Sequence, residues 1–260
     1  MSQTKGYADS QLLRTLAELL NRTKQRSYAL MQLQPFDKVL DVGCGPGTDT
    51  IPLAQLIGPK GQVVGVDHDE AMIAEAGQRA EQAGVSKWVK HTRADVTSLP
   101  FESDRFDSCR SERLFQHLLN PEQALAEMTR VTKRGGRLVV LDTDWGTTSI
   151  DTAEVEIERR LARVLAERVL HNGYSGRQLY RLFKQQGLAD LSIEMFPTHV
   201  TSYALLRQVA ILDRVEQEAL ASGIVTNDEL DRWRSSLEQA EASGVCFGSG
   251  TLVMAAGRKT

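Results

Sequence analysis

The chain has 260 residues, 41% hydrophobic and 25% charged, proportions that exclude a disordered, collagenous or coiled-coil protein. Lysine and arginine total 31 against 34 acids for a net charge of -3, so no cationic surplus exists to hold a polyanion, and nucleic acid is not an expected partner. No apolar run approaches the ~20 residues that span a bilayer, and the polar start Met1-Ser2-Gln3-Thr4-Lys5 has no signal core, so a cytoplasmic protein without membrane insertion is expected. Cys44, Cys109 and Cys246 lack CxxC spacing, and the five histidines lack ligand-pair spacing, so neither a disulfide framework nor a metal site is expected.

The first expected element is an amphipathic helix over residues 9 to 33, capped by Asp9 or Ser10, with Leu12, Leu13, Leu16, Leu19 and Leu20 on one face and Pro35 as its stop. It forms a leader of residues 1–35 ahead of a single domain of residues 36–260. Short apolar strands then alternate with helices: strands at 38–42, 62–67, near 87–91, 105–109 and 136–142, helices at about 48–57, 69–83 and 120–132. Asn120, Pro121 and Gln123 predict a capping box at the start of the last of these. The alternation predicts an α/β doubly wound fold with a parallel sheet and helices on both faces.

After residue 145 the pattern turns helical: a charged helix at about 151–170, a second capped by Ser175 and Gln178, and a strand from Leu188 to Pro197. Helices at about 203–221 and 227–242, the latter with a Thr226–Glu229 capping box, precede a closing strand at 246–256. Insertions at about 145–175 and 200–244 are therefore expected to form a helical lid before the last strand, walling a substrate pocket. No repeat or long linker divides the chain.

The chemistry concentrates in Val39-Leu40-Asp41-Val42-Gly43-Cys44-Gly45-Pro46-Gly47-Thr48, where a buried strand runs into a glycine loop and then a helix. Glycine permits positive φ and close backbone approach, and the following helix offers unpaired N–H groups. Pro52 falls among the first four helical residues, whose N–H groups need no intrahelical partner. A dinucleotide fingerprint would read G-x-G-x-x-G, but the third glycine comes one residue early, which disfavours an NAD-dependent dehydrogenase. Asp41 ahead of the loop also repels phosphates and suits a cationic group. Asp67, 24 residues after Gly43 at the end of the second strand, is placed to accept both ribose hydroxyls. Asp95 follows the third strand on the same edge, where it could take an exocyclic amine. Three acids along one edge describe a nucleoside carrying an amino acid, as in S-adenosylmethionine.

The stretches DVGCGPG, VVGVDHDEAMIAEA, RADVTSLPFESDRFD and LLNPEQALAEMTRVTKRGGRLVVLD resemble the Rossmann-like (class I) S-adenosylmethionine-dependent methyltransferases, most closely the branch containing the ubiquinone and menaquinone methyltransferases. The resemblance covers roughly residues 36 to 144 and implies a seven-stranded sheet with a reversed final hairpin. It implies that Gly43, Gly45 and Gly47 line the methionine portion of the cofactor, with Asp41 toward its ammonium group, and that Asp67 binds the ribose. By the same resemblance His68 and Met72 flank the adenine or ribose, Asp95 and the Val96 N–H address the adenine edge, backbone at Arg110 or Ser111 contacts the amino group, and Gln116 reaches the carboxylate. S-adenosylhomocysteine would be the product. This chain departs from that branch at Arg110–His117, charged here where the quinone enzymes are neutral and histidine-rich.

A tight turn and a surface acid would account for the loop and Asp67 without function, but strand placement, spacing and Asp41 coincide on the binding reading. His117, expected on a short helix facing the sulfonium, reads equally as a base for a substrate hydroxyl or as a structural residue. Met72 reads as core and cofactor neighbour at once, Tyr7 and Tyr28 as exposed helix tyrosines that could close over the cofactor, and the charged helix at 154–168 as a solvated face. The expected activity is methyl transfer to a small-molecule acceptor, natural-product or quinone-like, at O, N or C. A macromolecular methyltransferase and a non-catalytic S-adenosylmethionine-binding protein are the alternatives. Against the former there is no Asn-Pro-Pro-Tyr-like segment, and Asn120-Pro121 leads into Glu122.

Overall fold

A computed structural model describes Leu12, Leu16 and residues 19–260. The expected caps Asp9 and Ser10, and Tyr7, lie outside the described residues. Within the leader, helix α1 (Asn21–Met31) ends at Gln32 in a left-handed conformation, ahead of Pro35.

Seven strands follow: β1 (Lys38–Val42), β2 (Gln62–Asp67), β3 (Val89–Arg93), β4 (Phe106–Glu112), β5 (Thr132–Ile150), β6 (Ala189–Val200) and β7 (Gly248–Arg258). They form one sheet in the order β3-β2-β1-β4-β5-β7-β6, parallel from β3 to β5, with β7 antiparallel to both of its neighbours. This is the doubly wound, mostly parallel sheet with a reversed final hairpin. Strand alternation sorts the side chains. Val39, Val63, Val139, Leu141 and Met254 pack on α1 and α2 (Thr50–Ile57), while Leu40, Val64, Cys109, Leu138 and Val140 face the other layer. That second layer includes α4 (Pro121–Val131) and α6 (Ser175–Gln185).

Between β2 and β3 lies α3 (Glu70–Gln82), whose cap Asp69 accepts the N–H groups of Ala71 and Met72. α4 starts with Pro121 at its first turn, but the expected capping box is absent. Asn120 makes no capping bond, and Gln123 instead donates to the Thr97 carbonyl at 3.0 Å. Ser175 is likewise no cap: it is the first residue of α6, and its hydroxyl donates to buried Asp142 at 2.9 Å. The Thr226–Glu229 box does form, at the start of α9 (Asn227–Ala242).

The insertions build a third core, which also takes in Ile150 at the end of β5. α5 (Val155–Val164), continued by a π turn over Leu165–Val169, packs with α7 (Tyr203–Val209), α8 (Leu212–Ala221) and α9 around Leu161, Val215, Trp233 and Leu237. The helix expected over 203–221 is broken in two at Ile211, which takes φ +45°. The β5–β7 pairing is interrupted between Asp144 and Ser149, and Trp145 sits in that interruption.

Candidate functional site: a cavity between the glycine loop and the helical cap

A cavity of about 340 Å³ opens at the carboxyl ends of β1, β2 and β4. Its floor is the glycine loop, and its roof comes from the leader (Leu12, Leu16) and the cap (Trp145, Leu170, Gln208, Val209, Ile211). Ligands of open α/β sheets bind at this edge, beside β1, where the strand order reverses.

The loop has three left-handed glycines, Gly43 at φ +74°, Gly45 at +51° and Gly47 at +75°. Gly43 and Gly45 line the cavity; a Cβ on Gly43 would come within 3.0 Å of Leu114. Gly47, expected on the ligand, is set back: a Cβ there would meet Ala76 of α3 at 3.1 Å, so this glycine serves close packing of loop on helix. Asp67 is buried, and its carboxylate accepts the Gly45 N–H at 2.9 Å and the Asp69 N–H at 3.0 Å. Loop and acid are thus held as one unit. His68 Nδ1 lies 3.3 Å from Asp67, whose hydrogen bond raises the histidine above its ordinary pKa.

Asp95, Val96 and His68 also line the cavity. Asp95 is exposed and accepts from the backbone N–H and hydroxyl of Thr97. Met72 does not line it; its N–H serves the Asp69 cap and its side chain is half-buried on α3. Arg110 and Ser111 do not line it either: both are buried within β4, and the Arg110 guanidinium is taken up by neighbouring carboxylates. Glu112 and Arg113, the next two residues, line the cavity in their place.

The charges of that segment are turned onto the leader. Arg110 is fully buried and contacts Asp49 at 2.9 Å, Glu112 at 2.7 Å and Asp41 at 3.4 Å. Lys24 of α1 bridges Asp49 and Glu112, each at 2.7 Å, and the Tyr28 hydroxyl also donates to Asp49. Asp49, the residue ahead of α2, therefore spends its carboxylate on this cluster and makes no side-chain cap. Burial works against both Asp49 and Glu112 as anions, but Lys24 and Arg110 win and hold both below the usual carboxylate range. Asp41 is the poorly compensated member. Burial pushes it up to about 7 against the pull of Arg110, and its Oδ2 is buried without a hydrogen-bond partner.

On the opposite wall, Gln116 and His117 form a single 3₁₀ turn with Phe115. Gln116 donates from Nε2 to the Arg113 carbonyl at 3.1 Å, and its Oε1 accepts the Trp145 indole N–H at 2.5 Å. Its backbone N–H meets Asp142, which burial raises to about 6. Burial lowers His117 to about 4, leaving a neutral ring on the cavity wall. Sequence reasoning missed Trp145, Lys24 and the cap residues. The acids of Asp142-Thr143-Asp144-Trp145 at the end of an apolar strand were a readable signal; the leader's role was not, because Lys24 meets partners 25 and 88 residues away.

The methyltransferase domain family matches residues 34–187. The chain is 33% identical over 250 residues to an uncharacterized 37.1 kDa protein in transposon TN4556 of Streptomyces fradiae, covering 94% of this chain and 70% of that one. It is 28% identical over 202 residues to the ubiquinone/menaquinone biosynthesis C-methyltransferase of Pseudomonas entomophila, covering 78% and 75%. Over 109 residues, 42% of this chain, it is 36% identical to the 2-phytyl-1,4-naphtoquinone methyltransferase of Synechococcus elongatus, of which it spans 47%. In fold it is similar to the YcgJ protein of Bacillus subtilis, with a TM-score of 0.66 at 18% identity over 92% of this chain and 99% of that one. It is also similar to the geranyl diphosphate C-methyltransferase of Streptomyces coelicolor, solved with S-adenosyl-L-homocysteine, with a TM-score of 0.58 at 18% identity over 95% and 82%. With the domain match spanning more than half of its length, this chain belongs to the Rossmann-like S-adenosylmethionine-dependent methyltransferases.

Proposed function

We propose that the cavity binds S-adenosylmethionine on the glycine loop and a small-molecule acceptor under the helical cap, and that the protein transfers the methyl group between them in line. The observation that carries this reading is the Asp67 carboxylate, oriented by two backbone N–H groups on a left-handed glycine loop at the strand-order reversal. A carboxylate is an acceptor-only group, the type of partner that a pair of vicinal hydroxyls calls for.

The residues fit the cofactor on a further ground. Asp41 lines the cavity with a buried oxygen that has no partner, which a cationic group such as the cofactor's ammonium would satisfy. Asp67 would take the ribose, Asp95 and Val96 the adenine edge, and Gly43 and Gly45 would let the backbone approach. The cofactor supplies an electrophilic methyl on a sulfonium. Its thioether would leave neutral, keeping the C–S electron pair, so the chain would need to supply no general acid. The protein's part is to hold the nucleophile and methyl in near-attack geometry, worth on the order of 7 to 11 kcal/mol. The mixed lining, with Leu114, Leu118, Leu170 and Val209 beside Trp145 and His117, suits a partly apolar metabolite. The quinone methyltransferases among the relatives are consistent with an acceptor of that kind. The insertions at about 145–175 and 200–244 would then act as the lid that selects it.

The test incubates the protein with methyl-labelled S-adenosylmethionine and a cell extract, then separates macromolecules from small polar and organic-soluble fractions. Label in a small-molecule fraction is expected. Label confined to protein or nucleic acid would favour a macromolecular methyltransferase, and no label together with measurable cofactor binding would favour a binder without turnover.

A further inference from the structure

The polar wall facing the glycine loop contains a hydrogen-bond chain whose directions can be assigned from chemistry alone. The Trp145 indole nitrogen is only a donor, so the Gln116 atom 2.5 Å from it is the amide oxygen. The Arg113 carbonyl is only an acceptor, so the Gln116 atom 3.1 Å from it is the amide nitrogen. Two independent partners thus fix the amide. The second hydrogen of that nitrogen points to His117 Nε2 at 3.1 Å, which must accept it with its lone pair. A neutral ring whose Nε2 accepts carries its proton on Nδ1. An imidazolium would set two N–H groups against each other, and the positive charge of Arg113 together with burial disfavours it further. His68, His171 and Arg214 are the other charged or titratable groups bearing on the ring, and all act in the same direction.

Nδ1 is itself buried and has no hydrogen-bond partner. A buried donor left unpaired is unfavourable, and the ring lines the cavity. The turn that carries it is braced from both sides: the Gln116 N–H donates to Asp142 and the Gln116 carbonyl accepts the Asn172 N–H at 3.0 Å.

We propose that Trp145 and Gln116 are positioning residues that lock His117 as an Nδ1–H donor, and that the acceptor substrate presents a phenolate, enolate or carbonyl oxygen to that N–H beside the atom that is methylated. This replaces the base role expected for His117. The Nε2 lone pair is committed to Gln116, so the ring takes no proton from the substrate; it stabilises negative charge on an oxygen of a nucleophile that arrives already deprotonated. The substrate half of this inference rests on the proposed function of the cavity, whereas the tautomer half does not.

The experiment is long-range ¹H–¹⁵N correlation NMR on protein labelled with ¹⁵N-histidine, with His117→Asn used to assign the ring. At neutral pH the wild type is expected to show a protonated Nδ1 and a pyridine-type Nε2. A proton on Nε2, or on both nitrogens, would overturn the lock. Trp145→Phe, which removes one of the two partners that fix the Gln116 amide and leaves only the Arg113 carbonyl, is expected to weaken the lock and admit the second tautomer, and an unchanged single tautomer would remove Trp145 from the account. Addition of S-adenosylhomocysteine and then anionic 2-hydroxy-1,4-naphthoquinone as a probe is expected to move the Nδ1–H resonance downfield. A resonance unmoved at saturating probe would overturn the substrate half. Failure of S-adenosylhomocysteine to bind would count against the function of the cavity while leaving the tautomer result intact.

Discussion

The loop-bearing half of the sheet and the helical cap each bury a cluster of charges, and the two are built differently. In the cap, Glu216 is almost completely buried, and both of its oxygens are used: Arg207 and the Trp233 indole N–H meet Oε1 at 3.1 and 3.3 Å, and Arg234 and Arg207 meet Oε2 at 2.8 and 3.2 Å. All of these residues come from the cap's own helices and the cluster is satisfied within it. Under the glycine loop, Lys24, Asp41, Asp49, Arg110 and Glu112 are gathered from the leader, two strands and a helix start, and one carboxylate oxygen of Asp41 has no partner. A closed cluster specifies a fold, whereas an incomplete one beside a cavity awaits a ligand.

Substitutions should separate the two. Lys24→Met strands Asp49 and Glu112 with Arg110 as their main cation, and breaking a buried pair this way is expected to cost about 4 kcal/mol. Thermal unfolding should show it, and a loss under about 1 kcal/mol would mean the leader does not hold the loop. Asp41→Asn probes the incomplete member through pH. In the folded protein Asp41 keeps its proton up to about 7, whereas the unfolded chain releases it near 3.8. Its contribution to stability is therefore present at low pH and is lost as pH rises toward 7. The variant should gain on the wild type by about 1 kcal/mol per pH unit between pH 5 and 7 and then level off. Parallel denaturation profiles would contradict the assignment. The smallest effect is expected in the cap, where Glu216→Ala strands Arg207 and Arg234, which are partly exposed and can turn to water, and leaves only the Trp233 N–H buried and unpaired, for a cost of about 1.5 kcal/mol. Hydrogen exchange should speed up in α7 to α9, while S-adenosylhomocysteine affinity stays unchanged. A parallel loss of that affinity would show that the two halves are coupled.

Much of the sheet half was legible because its signals are local. Alternation of short apolar strands with capped helices marks a doubly wound fold, and the glycine loop followed by Asp67 at the end of β2 marks a ligand edge at fixed spacing. The same local reasoning went astray where a side chain had a distant alternative. Gln123 bonds Thr97 rather than the Asn120 backbone, Ser175 bonds Asp142 rather than its own helix, and Arg110 turns into the leader cluster and does not line the cavity. Gly47 looked like its two neighbours, but what it meets is Ala76 on another element. The cap was the least legible part, since its helices carry no motif and contribute single residues such as Trp145 and Ile211 whose position depends on a strand interruption and a left-handed break.

The central claim is that the oriented carboxylate on the glycine loop is the cofactor's anchor. Calorimetric titration of S-adenosylhomocysteine into the wild type and into folded Asp67→Ala tests it most directly. The account predicts one saturable site in the wild type, weakened by about 100-fold in the variant, the equivalent of ~3 kcal/mol for two hydrogen bonds to a charged group. Equal affinities in the two proteins would contradict it and move the cofactor away from this edge of the sheet.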